Sequence, residues 1–220
     1  MAVTLSKDEL KKMYRLGGWL TLAMFLLLAF VRVHVSDATW GAAVFQAATA
    51  SISLSVLALV IVMNLTWKTR WLAWLANRPI VHGVWWGELK STYKGELLPP
   101  IAIAFVVRQT YVSLSIQSFT AGIGADSIIE VFDRNQKTRD VRLKYVYEMK
   151  RETNAEHKFT TGYGDLKLQG GGKVLSGYYW TNSPTEGDIR LELVQRDCDE
   201  INCFESAQRV VQATKNPTVR

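Results

Sequence analysis

"WWGELKSTY", residues 85–93, sets polar Glu88, Lys90 and Thr92 against Trp85, Gly87, Leu89, Ser91 and Tyr93 at strict alternation. A period of two with one polar face is the pattern of a strand buried on one side. The stretch is also a boundary. Before it the chain is apolar over most of residues 16–67, and after it come most of the charges and most of the glycines. The 220 residues therefore divide into a membrane part and a water-facing β part, which the overall net charge of +6 and 48% hydrophobic content conceal when averaged.

Working toward the N-terminus, "LGGWLTLAMFLLLAFV" lies uncharged between Arg15 and Arg32 and extends through Val33 and Val35. Residues 38–67 contain no charge at all. Each run approaches or exceeds the ~20 apolar residues a helix needs to cross a bilayer, so two spans are expected at about 16–35 and 44–67. A cleaved leader is the alternative for the first, but no small-x-small cleavage site follows it. Ser6 with Glu9 three residues on reads as a capping box opening the first helix. Lys7, Lys11, Lys12 and Arg15 precede the first span, and Lys68, Arg70 and Arg78 follow the second. Positive flanks mark the cytoplasmic side, so both termini and the β part are expected there.

Ala43, Ala47, Ser51 and Ser55 recur every fourth residue of the second span. In lipid such a small-residue stripe lets helices approach closely, either span on span or subunit on subunit. Trp67, Trp71 and Trp74 share one helical face beyond it, as an interfacial anchor would, and Asn77 and Pro79 end that segment. The expected division is a membrane hairpin with its linker over residues 1–79 and a cytoplasmic barrel over 80–220.

Toward the C-terminus the alternation continues. "FVVRQTYVSLSIQ", read as one strand, turns Val106, Arg108, Thr110, Val112, Leu114 and Ile116 inward. "VRLKYVYEM" turns in Val141, Leu143, Tyr145 and Tyr147, and "DIRLELV" turns in Ile189, Leu191 and Leu193. "GYYWT" is apolar on both faces, so either Tyr178 or Tyr179 is the inner residue. With "SIIEVFD", "HKFTTGYGDLKLQ", "KVLSGYYWTN" and "SAQRVVQAT", about eight antiparallel strands result. Closing them removes exposed edges and leaves a barrel wide enough for side chains or one small ligand, with a sandwich as the competing architecture. "FESAQRVVQATK" also carries a weak helical period, which leaves that segment unassigned.

No catalytic set is legible. His34, His82 and His157 are scattered without metal-ligand spacing, and no nucleophile elbow or H-E-x-x-H is present, so neither an enzyme nor a metal or cofactor site is expected. "GGG" at 170–172 sits between strands and is a turn, not a phosphate loop. Cys198 and Cys203 in "DCDEINC" read as reduced thiols on a polar hairpin. Arg108 on an inward face would need a carboxylate or a phosphate beside it, unless the register is shifted by one or the residue reaches the rim. Trp85, Tyr93, Tyr145 and Tyr179 are candidates to stack on bases or to form plain core, and Ser91 and Thr110 are candidates for base edges.

The two spans, "WWGELKSTY" and the late "LSGYYWTNSPTEGDIRLEL" together resemble the two-transmembrane β-barrel effectors of bacterial CBASS anti-phage systems. The resemblance rests on Trp85 with Gly87, on the set Gly177, Tyr179, Thr181, Gly187, Ile189 and Leu191, and on the order of parts. It implies a STING-like role. A cGAS/DncV-like nucleotidyltransferase makes a cyclic dinucleotide, the barrel binds it, copies assemble, and the helices disrupt the inner membrane, killing the cell before phage mature. The implied partners are thus the cyclic dinucleotide, membrane lipids and further copies of the chain. The competing reading is a membrane-tethered, lipocalin-like carrier of a lipid, since "GVW" at 83–85 mimics the lipocalin G-x-W. A buried, unpaired Arg108 with polar neighbours favours phosphate, and a dry apolar lumen favours lipid. A packed barrel that binds another protein is a third reading.

Overall fold

The computed structural model describes Thr4 and residues 7–35, 39–64, 78–93, 95–135, 137–151 and 160–215. The chain divides into two compact units, Leu5–Leu65 and Met1–Thr4 with Thr66–Arg220. Ser6 of the expected capping box and Trp67, Trp71, Trp74 and Asn77 of the expected anchor lie outside the described residues.

The first unit is a pair of helices, α1 (Lys7–Val35) and α2 (Trp40–Asn64). Both are long and apolar enough to cross a membrane. Their outer faces stay apolar: Trp19, Leu26 and Phe30 on α1 and Phe45, Ile52 and Leu57 on α2 are all exposed. Apolar surface all round is what lipid requires and water does not. Two hydroxyls in these helices turn back on their own backbone, Thr21 Oγ1 donating to Gly17 O at 2.9 Å and Ser51 Oγ to Ala48 O at 2.9 Å. The four-spaced stripe is the buried face of α2, with Ala43, Ala47, Ser51 and Ser55 each at most 1% exposed. A Cβ on Gly17 of α1 would stand 3.1 Å from Leu59 Cδ1. Within this hairpin the stripe is the face of α2 packed against α1.

The second unit is a barrel. Its strands are β1 (Gly83–Tyr93), β2 (Glu96–Leu97), β3 (Ile101–Gln109), β4 (Leu114–Phe119), β5 (Ile123–Arg134), β6 (Val141–Arg151), β7 (Thr160–Gln169), β8 (Val174–Thr181) and β9 (Thr185–Gln195). Every pairing is antiparallel and follows chain order, with β2 only a two-residue addition at the end of β1. Pairing of β1 with β9, from Val84↔Gln195 to Tyr93↔Thr185, closes eight strands into a ring. The expected eight-stranded antiparallel barrel is therefore the fold, and the sandwich is not.

Tight coiling at this size demands glycine on inward faces. A Cβ on Gly87 would overlap the Arg190 carbonyl oxygen, one on Gly177 that of Asp165, and one on Gly187 that of Lys90. Gly87, Gly177 and Gly187, all part of the recognised sequence pattern, thus let backbones meet at these points. Gly170, Gly171 and Gly172 all have positive φ and turn β7 into β8, as the sequence indicated.

Two segments depart from expectation. "FVVRQTYVSLSIQ" is not one strand but two, because Thr110 N donates to Ser113 O at 2.9 Å and the Thr110 and Ser113 hydroxyls meet at 2.7 Å, closing a hairpin turn. The turn resets the alternation. Ile103, Phe105 and Val107 are in the core, while Val106 and Ala104 lie in a separate outer cluster. The second departure is "FESAQRVVQATK", which is a helix, α3 (Phe204–Lys215). Ala207 and Val211 are buried, and Ala207 with Val210 joins Val84, Ala104 and Val106 outside β1 and β3. Cys198 and Cys203 are free, as expected, but flank the entry to α3 and not a hairpin.

One end of the barrel is plugged. Trp85 is fully buried and its Nε1 donates to Val81 O at 2.8 Å. Gln109 straps residues 79–82 across this base: its Oε1 accepts from Val81 N at 2.8 Å and His82 N at 3.2 Å, and its Nε2 donates to Pro79 O at 2.9 Å. Arg78 is buried there too, donating to the Tyr111 carbonyl and to Thr4 Oγ1 at 2.9 Å, with its guanidinium 5.3 Å from the Phe132 ring centroid. Each of these groups would be costly to bury unpaired, and the base is a hydrogen-bonded polar network around an apolar plug.

Candidate ligand-binding site

The opposite end is hollow. A cavity of about 240 Å³ opens where β1, β4, β6 and β8 end and β3, β5, β7 and β9 begin. Its wall mixes aliphatic and aromatic groups such as Ile103, Phe105 and Ile189 with the hydroxyls of Ser91, Tyr145, Tyr147, Tyr179 and Thr181. Among the described residues no charged side chain lines it.

The tyrosines are held by register. Tyr145 pairs with Gly164 and Tyr147 with Gly162 on β7. A Cβ at either glycine would overlap the facing ring, so the rings lie flat across the glycines and leave the lumen open. Tyr145 and Tyr147 are tilted at 33° with centroids 5.6 Å apart, and Phe105 meets Tyr145 edge-on at 5.9 Å. Burial pushes all three phenols above their ordinary value of 10.0, with neighbouring tyrosines adding to the effect at Tyr145 and Tyr147. At Tyr179 a hydrogen bond with Ser91 opposes the shift. All three remain neutral at physiological pH and offer O–H donors without charge. Thr160, another lining residue, is buried and its hydroxyl has no hydrogen-bond partner.

Of the residues singled out in the sequence, Ser91, Tyr145 and Tyr179 come together in this cavity. Tyr179, not Tyr178, is the inner residue of its pair, and Tyr178 is exposed. Tyr93, at the mouth end of β1, is 44% exposed. Trp85 belongs to the plug at the far end, and Thr110 to the β3–β4 turn at that same end. The inward placement of Arg108 is corrected. It faces outward, donating to Gln117 Oε1 and to the carbonyls of Ile201 at 3.0 Å and Cys198 at 3.4 Å, and so fastens the segment before α3 to the barrel wall. The hairpin turn at 110–113 is the physical reason, since it breaks the alternation that carried Arg108 inward.

Sequence reasoning did not assign Tyr147, Thr160 or Thr181 to the site, nor the two glycines that shape it. The signal was there as two spacings of two, Tyr145/Tyr147 in "YVY" and Gly162/Gly164 in "GYG". They become informative only once β6 and β7 are paired.

A second, open depression of about 630 Å³ lies outside the barrel beside β1, β8 and β9, lined by Trp86, Glu88, Lys90, Asp188 and Arg190 among others. Its mixed charges are solvated, and it lacks the enclosing aromatic wall of the lumen.

Residues 76–193 match the family described as Cap15, cyclic dinucleotide receptor domain. That span covers every residue lining the hollow end. The chain is also similar to CD-NTase-associated protein 15 of Staphylococcus schleiferi, 23% identical over 186 residues that cover 84% of this chain and 97% of that protein.

Proposed function

The chain belongs to the Cap15 cyclic dinucleotide receptor family, and from that premise we propose that it is a membrane-anchored CBASS effector that binds a cyclic dinucleotide at the hollow end of its barrel. Binding then draws copies together, and the helices disrupt the bacterial inner membrane. The observation that carries this reading is the tyrosine-lined cavity inside the matched domain, in the same chain as two helices long and apolar enough to span a bilayer.

The chemistry is suitable. Bases present flat faces to Tyr and Phe rings, and stacking contributes about 1–3 kcal/mol per base. Neutral hydroxyls serve base edges as donors or acceptors. A ligand promotes assembly only to the extent that it binds the assembled state more tightly than the separate one. The basic flanks of both spans support cytoplasmic termini, and on this reading the barrel shares the compartment where a nucleotidyltransferase works.

The uncharged lumen and the outward, hydrogen-bonded Arg108 favour the lipid-carrier reading, and a single experiment separates the two. Full-length protein in detergent is heated with a panel of cyclic dinucleotides, their linear counterparts and fatty acids. A ligand of the native state raises the melting temperature with concentration, by RT ln(1 + [L]/Kd), so one cyclic compound should do so selectively. Stabilisation by fatty acids and by no cyclic dinucleotide would overturn the receptor reading in favour of the carrier.

A further inference from the structure

The lumen is small and its described lining residues carry no charge. We propose that it takes one nucleobase, and that both phosphates and the second base stay at the mouth. The inference rests on the receptor reading above and specifies which part of the ligand that site recognises.

Size is the first argument. The cavity measures about 240 Å³, whereas a cyclic dinucleotide, with roughly 40 non-hydrogen atoms, is a drug-sized ligand. Cavities that enclose a complete drug-sized ligand run to about 300–1,000 Å³, and this one falls short of that range. One planar base matches the space and two bases with their sugars do not.

Charge is the second. A phosphate diester is anionic at every physiological pH, and burying it without a cation is heavily penalised. Among the described lining residues there is no lysine, arginine or histidine. The arginine that sequence alternation turned inward is committed to Gln117 and Ile201 on the outer wall. The phosphates are therefore favoured in water, at the mouth.

The third argument is what the lumen does offer. The rings of Tyr145 and Tyr147, flat against Gly164 and Gly162, present a broad apolar surface, and Phe105 backs Tyr145. The phenols are neutral, and Ser91 and Thr181 line the same space. This is the equipment for a base face and a base edge. A symmetric ligand inserts either of its two bases, so each bound complex is asymmetric.

Abasic analogues test the proposal on the full-length protein in detergent, without altering the chain. Cyclic di-AMP, cyclic di-GMP, cyclic di-UMP and cyclic GMP–AMP are titrated alongside mono-abasic and di-abasic forms of each. Of the compounds that bind, the mono-abasic form of a symmetric one should retain affinity to within a few-fold, about twofold being the statistical loss of one of two equivalent bases. The di-abasic form should lose binding. Loss of affinity on removing the first base would mean that both bases are enclosed and would overturn the inference while leaving the receptor reading intact. Retention by the di-abasic form would overturn it by making the sugar–phosphate ring the recognised part. If none of the four parent compounds binds, the receptor reading itself fails, and this inference fails with it.

Discussion

Tyr147 on β6 lies flat across Gly162 on β7, its direct partner in the ladder, so closely that a methyl group on that glycine would overlap the phenol ring. The glycine is what keeps the tyrosine out of the lumen. Gly162→Ala should push the ring inward, shrink the cavity and cost about 1–3 kcal/mol as other overpacked cores do. Thermal unfolding and cyclic dinucleotide titration of the full chain should both respond. Tyr147→Ala alone should cost more, as the loss of a buried aromatic, and the double variant should lose less than the sum of the two single losses, since the two residues act as a coupled pair. Additive losses in the double variant would mean that the overlap is relieved elsewhere.

Inside the same barrel sits Glu130, 6% exposed and directly paired with Tyr145. A bulge between Ser127 and Ile129 shifts the strand so that this carboxyl turns inward, where it accepts a hydrogen bond from Ser127 Oγ. Burial raises its pKa above the ordinary 4.5, and the Ser127 bond only partly opposes this. Between the unfolded and folded values the native state holds more protons than the unfolded state. Stability from this group is therefore full below about pH 4.5 and declines as pH climbs through the folded pKa. Glu130→Gln should raise the melting temperature at pH 7, with a gain that disappears near pH 4. A gain of equal size at both pH values would assign the effect to packing and not to charge.

Alternation alone made the inner faces of β1, β6 and β9 legible, because each is an uninterrupted strand with one polar side. It failed at Thr110–Ser113, where the turn contains no glycine or proline and Tyr111 and Val112 themselves favour strands. The strand count was right for compensating reasons, since one apparent strand was two and the last apparent strand was the helix α3. That helix is short, and its apolar residues Ala207 and Val210 have meaning only against the outer wall it covers. The cavity was hidden for a different reason. A hollow depends on which tyrosine faces which glycine, and register between strands is not written in either strand by itself.

Arg108 now predicts something other than ligand loss. Its hydrogen bonds to Ile201 O and Gln117 Oε1 tie the segment before α3 to β3 and β4. Arg108→Ala should cost about 1.5–3 kcal/mol, the range for hydrogen bonds to a charged group. Hydrogen exchange should rise first over residues 198–211 as α3 loosens. Cyclic dinucleotide affinity should stay unchanged. A large fall in affinity with α3 still protected would return Arg108 to the binding site.

The stripe on α2 gives the last test. Ser51 is 1% exposed within the hairpin, and its hydroxyl is satisfied by Ala48 O of its own helix. Ser51→Ala removes a local hydrogen bond and little else, so it should be tolerated. Ser51→Leu forces a larger side chain between α1 and α2 and should cost about 1–3 kcal/mol of hairpin packing. The readout is disulfide crosslinking in bilayers between one cysteine placed on α1 and one on α2. Crosslinking within a chain should fall in Ser51→Leu and persist in Ser51→Ala, with ligand binding retained in both. If the intrachain crosslink survives in Ser51→Leu while ligand-induced assembly is lost, the stripe faces another subunit in the active state, and the packing within one hairpin describes only the resting one.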